Sequence, residues 1–262
     1  MLDRLKVTDR TVPKLAATAI AAVVAIFAAA CTNPPEATPS GNGGETTPTA
    51  TSTGAGGDTN ADALYFYPPV EGATLRLTSS GAIAGTSDVT VNTVTSGPDG
   101  QTVAVTEVVS GSGEPVTVER TFHTSQAGGL SIDAAAFGAG APGFRVTAAG
   151  DDVVIPPIAE LESGSTPTGQ TFVELSGSGV TMRNDVTYTV AGDGFESVTV
   201  PVGTVEAYVV KITLNIQSSV AGAQTGTARY WFVPGFGLVR QETTIAGMGG
   251  TTELLSSSVP LP

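Results

Sequence analysis

Pro115-Val116-Thr117-Val118-Glu119-Arg120-Thr121-Phe122-His123 alternates residue by residue. In an extended chain Val116, Val118, Arg120 and Phe122 fall on one side and Thr117, Glu119, Thr121 and His123 on the other, the period-2 pattern of a strand with one wet face. The same grammar spreads outward from this stretch. From Leu64 onward Val and Thr dominate, Gly and Pro recur about every ten residues, and no segment sustains helical spacing. Strands are expected over 88–95, 101–109, 185–190, 197–202, 204–216, 227–233 and 238–245. Gly97-Pro98-Asp99-Gly100 and Ala191-Gly192-Asp193-Gly194 each predict a tight hairpin. Within 204–216 the apolar positions switch from odd (Val205, Ala207, Val209) to even (Val210, Ile212, Leu214, Ile216), which predicts a bulge or a doubly buried stretch at Val209-Val210. The fold class that follows is all-β, an antiparallel curved sheet or half-barrel.

Two segments of this region look like weak copies of each other. One opens with Tyr67-Pro68-Pro69-Val70 and closes with the run Phe122 to Leu130; the other opens with Ile155-Pro156-Pro157-Ile158 and closes with Trp231 to Leu238. They suggest two β-meanders, in halves 62–150 and 151–262 of one domain over 62–262, with chance similarity in a Gly/Val/Thr-rich chain as the rival explanation.

Ahead of this domain stand two segments of different character. Residues 1–30 join a basic stretch, with Arg4, Lys6, Arg10 and Lys14, to the apolar run Leu15 to Ala30, the order of an export signal peptide. That run would make a helix of only about 24 Å, short of a bilayer core of roughly 30 Å. Ala28-Ala29-Ala30 before Cys31 resembles the lipobox of bacterial lipoproteins, which implies cleavage between Ala30 and Cys31 and a membrane anchor of acyl groups, palmitate among them, on Cys31. An Ala-x-Ala ending also suits ordinary signal peptidase, which would release a free protein. Residues 31–61 hold Gly, Pro, Ser and Thr with no aromatic residue and no Val, Ile or Leu, so they read as a disordered linker. The expected location is outside the cytoplasm, tethered to the outer face of the cell membrane or to an outer membrane.

Charge and cysteine content exclude several functions. The 262 residues carry a formal charge of -13; since residues 1–30 contribute +2, the remainder carries -15. Beyond residue 30 there is one lysine, Lys211, and the arginines are scattered, so nothing can track a phosphate backbone and no nucleic-acid partner is expected. One cysteine cannot form an intramolecular disulfide or a thiolate metal cluster.

Two stretches go beyond composition: Val198-Thr199-Val200-Pro201-Val202-Gly203-Thr204-Val205-Glu206-Ala207-Tyr208, and Tyr230-Trp231-Phe232-Val233-Pro234-Gly235-Phe236-Gly237-Leu238-Val239-Arg240. Together with Tyr65-Phe66-Tyr67-Pro68 they resemble the conserved patterns of TapB-like domains of exported bacterial proteins. The resemblance implies an antiparallel half-barrel and supplies no catalytic residues. Pro201 and Gly203 mark a crossing between strands, and Pro234-Gly235-Phe236-Gly237 a hairpin loop closing Trp231 against Leu238.

Little in the chain points to chemistry. His123 is the one histidine, and it falls on the wet face with Glu119 and Thr121; no Gly-x-Ser-x-Gly elbow accompanies it. Asp151-Asp152, Glu160 with Glu162, and Asn184-Asp185 lack the spacing of a calcium loop, and no cofactor or metal is expected. Phe66, Tyr188, Tyr208, Tyr230, Trp231 and Phe232 either line a concave sheet face or fill its core. The leading expectation is a non-catalytic, lipid-anchored β domain that binds an apolar ligand or an envelope partner. The alternatives are a structural or interaction protein of the envelope and a carboxylate-dependent hydrolase of surface polymers.

Overall fold

The computed structural model describes residues 62–262 apart from 83, 112–113, 138–143 and 178. The signal peptide, the linker, Ala30 and Cys31 lie outside the described residues. Among the described residues thirteen strands form a single sheet. A first meander runs through β1 (Thr74–Gly81), β2 (Gly85–Gly97), β3 (Gly100–Ser110), β4 (Val116–Ser125) and β5 (Leu130–Ile132). A 3-10 turn (Ala134–Phe137), β6 (Arg145–Ala149), β7 (Val153–Ile155) and the one-turn helix α1 (Ile158–Glu162) follow. The second meander comprises β8 (Thr168–Gly177), β9 (Val180–Val200), β10 (Gly203–Ser218), β11 (Gly222–Val233), β12 (Gly237–Ile245) and β13 (Met248–Ser257).

The lateral order is β6-β8-β9-β10-β11-β12-β13-β1-β2-β3-β4-β5-β7, antiparallel at every step. The accumulated right-handed twist of so many strands curls the sheet into a half-barrel. The meanders join where β13 pairs with β1. Near the junction of the two sequence halves the short strands are exchanged: β6, ahead of residue 150, pairs with β8, whereas β7, after it, pairs with β5. The two lateral edges are therefore only three residues apart in sequence, at 150–152. Side chains tie them: the Tyr188 hydroxyl on β9 accepts from Val154 N–H (3.2 Å) and donates to the Asp152 carbonyl (3.4 Å), and Thr171 Oγ1 donates to the Asp151 carbonyl (2.6 Å).

Residues 63–67 cross one end of the half-barrel and grip both meanders. Leu64 N–H donates to the Gly128 carbonyl (2.9 Å) and the Leu64 carbonyl accepts from Thr124 Oγ1 (2.8 Å), at the β4–β5 turn. On the other side Gly235 N–H donates to the Ala63 carbonyl (3.0 Å) and Leu238 N–H to the Phe66 carbonyl (3.1 Å), at the β11–β12 loop. One strap thus holds the β4–β5 turn and the β11–β12 loop, one from each meander.

Two expectations need correction. Ala191-Gly192-Asp193-Gly194 does not reverse the chain: β9 runs straight through it, and the reversal comes at Pro201-Val202, before Gly203 pairs with Val200. The Gly-Asp-Gly run instead supplies the extra residue of a bulge in β9, Val209 pairing with Gly194 and Val210 with Gly192. β10 itself keeps unbroken register with β11, and its parity switch is the doubly buried stretch, Ala207 to Val210. The β11–β12 loop lies where Pro234 to Gly237 put it, but Leu238 pairs with Phe232, and a second bulge sets Trp231 opposite Arg240.

Candidate functional site

The aromatic side chains singled out in the sequence divide between two faces. Tyr230 and Phe232 point inward, where Tyr208 pairs with Phe232 across the β10–β11 ladder. Phe232 is fully buried and Tyr208, Tyr230 and Tyr188 are 1%, 2% and 6% exposed. Phe66, half-buried, stacks on Phe122 at 4.5 Å and meets Tyr67 edge-on at 5.1 Å, while Tyr230 stacks on Phe232 at 5.9 Å. These rings fill one another's space at the strapped end, at the offset and edge-on distances favoured by aromatic pairs. Burial pushes the phenols of Tyr65, Tyr208 and Tyr230 up, and nearby Glu162 and Asp193 push Tyr208 further. Trp231 departs from the set. Period-2 alternation turns it to the outer face, where Arg229 and Arg240 lie over its ring at 4.7 and 5.2 Å and its indole N–H donates to Glu196.

The inner face is not uniformly apolar. Toward the end opposite the strap, Gln241 on β12 pairs with Thr252 on β13 and Thr252 with Ser79 on β1, all three side chains buried. Ser79 and Thr252 share a hydroxyl hydrogen bond of 2.7 Å. Further along the same face, fully buried Glu107 on β3 meets Arg120 Nε on β4 at 2.8 Å, and the Arg120 guanidinium donates to the Ala136 carbonyl of the 3-10 turn. The pair therefore fastens that turn over the inner face. Sequence reasoning placed Arg120 beside Val118 and Phe122 but did not pair it with Glu107. Inward parity on both strands, 101–109 and 115–123, was the available signal.

His123 lies on the outer face as expected, beside a furrow of about 290 Å³ floored by Leu130, Val154, Ile155, Pro156, Pro157 and Pro167 and rimmed by Ser131 and Glu160. His123 and Ser131 are cross-strand partners, and Ser131 Oγ donates to Asp152 Oδ2 at 2.6 Å. That is a serine, a histidine and an aspartate in one neighbourhood with the wrong connectivity for nucleophilic catalysis. The serine gives its proton directly to the carboxylate, and the imidazole Nδ1 is engaged by Thr102 Oγ1 at 3.2 Å, so no base stands between nucleophile and acid. Among the described residues no three His, Cys, Asp or Glu side chains gather as a metal-ion shell. The Asp152 carboxylate accepts from Ser131 at the sheet edge and the Glu160 carboxylate from Ser165 beside α1.

No curated protein matches the chain. Among solved structures, a candidate lipoprotein of Parabacteroides distasonis superposes with a TM-score of 0.60 at 20% identity, covering 75% of this chain and 100% of that one. A candidate exported protein with YmcC-like fold from Bacteroides fragilis superposes at 0.57 with 17% identity, again over 75% of this chain and 100% of that one. At such identities the likeness speaks for the half-barrel fold. A sequence-family model described as DUF3108-like matches residues 71–246, which take in both motif stretches and all strands from β1 to β12. On that extent of match, the chain belongs to the DUF3108-like family.

Proposed function

We propose that this protein is a non-catalytic, extracytoplasmic lipoprotein, anchored through acyl groups on Cys31 and held off the membrane by residues 31–61, whose outer surface engages a component of the cell envelope. The observation that carries the emphasis on the outer surface is the packed interior: ring meets ring at the strapped end, and buried polar pairs occupy the other. The exported and lipoprotein descriptions of the two structural neighbours agree with the Cys31 reading. A flexible linker of about thirty residues has a reach on the order of 30 Å, enough to clear the head groups. Intact mass spectrometry of the detergent-extracted protein, beside a Cys31→Ala variant, tests the anchor. Acyl mass on a chain starting at Cys31, lost in the variant, is the expected result; an unmodified chain overturns the tether.

A second reading is favoured by the furrow beside His123. Its floor of Leu130, Val154, Ile155 and three prolines suits a small apolar molecule bound outside the half-barrel. Val154, half exposed in that furrow, is the position to test. Displacement of an apolar dye by the protein, abolished in Val154→Glu, is expected if the furrow binds. Absence of any saturable dye site removes this reading.

A further inference from the structure

The outer face of the second meander carries two adjoining rows of neutral, hydrogen-bonding side chains, bordered by Lys211 and Arg229 on one side and by Asp151, Arg183 and Asp185 on the other. Two shallow furrows, of about 300 and 360 Å³, meet on β9 at Asp185 and Thr187. Strand register aligns the exposed side chains across them: Gln170 on β8 pairs with Thr187 on β9, Thr187 with Asn215 on β10, and Asn215 with Thr225 on β11. The neighbouring row, starting at Thr168, continues this through hydroxyls alone and reaches Thr244 on β12. Neither row contains a charge. At the furrow's edge Asp185 is paired with Arg183 at 2.9 Å, and the Arg183 guanidinium carbon lies over the Phe172 ring at 3.8 Å.

From this arrangement we infer that the face binds an extended, neutral polysaccharide strand. It rests on the reading that the outer surface is the working surface, and it names the chemistry of the partner. A nucleic acid or an anionic head group needs a cluster of cations, which these rows lack. A protein partner of ordinary kind needs a buried aromatic or aliphatic anchor at the centre of its interface, and the centre of this face consists of amides and hydroxyls. Amides and hydroxyls that both donate and accept match a polymer whose own groups are hydroxyls, and a ligand without charge incurs no repulsion from residues 31–262, which carry -15. The inter-strand step of about 4.8 Å also approximates the length of one pyranose unit in an extended chain. Arg183, held on Phe172 and by Asp185, loses little freedom when it donates to a sugar hydroxyl, which is the condition for an economical polar contact.

The test is isothermal titration of the full chain in detergent with cellohexaose, chitohexaose and mannohexaose, and co-sedimentation with the corresponding insoluble polymers. The variant is Gln170→Ala/Asn215→Ala/Gln217→Ala, Gln217 lining the second furrow opposite Asp185; the three positions are exposed, and the thermal midpoint checks folding. Saturable binding to at least one neutral glycan is expected, weakened roughly tenfold or more in the triple variant, with Thr90→Ala/Thr106→Ala on the other meander leaving it unchanged. Three results overturn the inference: no saturable binding to any of the three, binding indifferent to the triple variant, or binding of polygalacturonate in preference to the neutral chains. The titration does not depend on acylation, so an unmodified Cys31 would sink the tether while leaving this result standing, and the reverse holds equally.

Discussion

At the scale of single residues, the buried Glu107–Arg120 pair is the most exposed to disruption. Glu107 is inaccessible and the Arg120 side chain nearly so, and their contact at 2.8 Å is made where water cannot substitute. Removing one partner leaves a buried charge uncompensated, so Arg120→Met is expected to cost about 3–5 kcal/mol in urea unfolding. Glu107→Leu combined with Arg120→Met should recover most of that loss, because a pair of apolar groups leaves no charge stranded. Protection of the 3-10 turn in hydrogen exchange should fall in both variants, since Ala136 loses its guanidinium donor in each. A double variant no better than the single would refute the account. Tyr188 makes a second point at this scale. Its hydroxyl bridges the two sheet edges and its ring lies over Gly169, where an added Cβ would come within 2.3 Å of the ring. Tyr188→Phe keeps the packing and orphans the Val154 N–H, an expected loss of about 1–3 kcal/mol. Gly169→Ala should displace the ring and cost at least as much in the same assay.

At the scale of elements, the long β9–β10 hairpin shows what kind of bulge the sequence encodes. Asp193 is the extra residue, and Gly194 takes φ +85°, a conformation that costs other residues about 1–2 kcal/mol. Gly194→Ala is therefore expected to cost about 1–2 kcal/mol in urea unfolding, and since an added Cβ there meets nothing within 4 Å, the cost is one of backbone conformation alone. Hydrogen exchange should rise around the bulge, over 192–196 and 207–210, while β1 to β4 stay protected; uniform protection would rule this out. The same hairpin shows why the reading from sequence succeeded and where it stopped. Alternation in 115–123 and the parity switch at Val209-Val210 are backbone-periodic signals, and they located the strand and the doubly buried stretch of β10 correctly. Gly-Asp-Gly at 192–194 is locally ambiguous, because left-handed glycines serve a hairpin and a bulge alike, and only the partner strand decides between them. The pairing of Glu107 with Arg120 and the neutral rows on β8 to β12 were invisible for a related reason. Which residues become neighbours depends on inter-strand register, and a single strand's pattern does not contain it.

At the scale of the whole molecule, all five tyrosines are buried in a chain of formal charge -13, which makes alkaline pH the condition most revealing of how the parts cohere. Burial raises the phenols of Tyr65, Tyr208 and Tyr230 above the ordinary value of 10.0, while in the unfolded chain they titrate at that value. Below pH 10 the phenols are protonated in both states and contribute no pH dependence. Above it the unfolded state releases protons that the folded state retains, so stability falls steadily as the pH rises toward the folded values. Repulsion among the carboxylates grows in importance as each new phenolate adds to a charge already far from zero. Tyr230 is buried and stacked on Phe232, whose ring in turn meets Phe66 of the strap, so forming its phenolate requires opening the strapped end. The expected outcome of an alkaline titration is a phenolate absorbance step that coincides with loss of the β signal in circular dichroism, as one cooperative transition. Tyr230→Phe should move that transition to higher pH, since it removes a proton that only the unfolded chain gives up readily. Tyrosines that ionise in separate steps with the β signal intact would mean that the strapped end opens independently, and that the thirteen strands do not unfold as one unit.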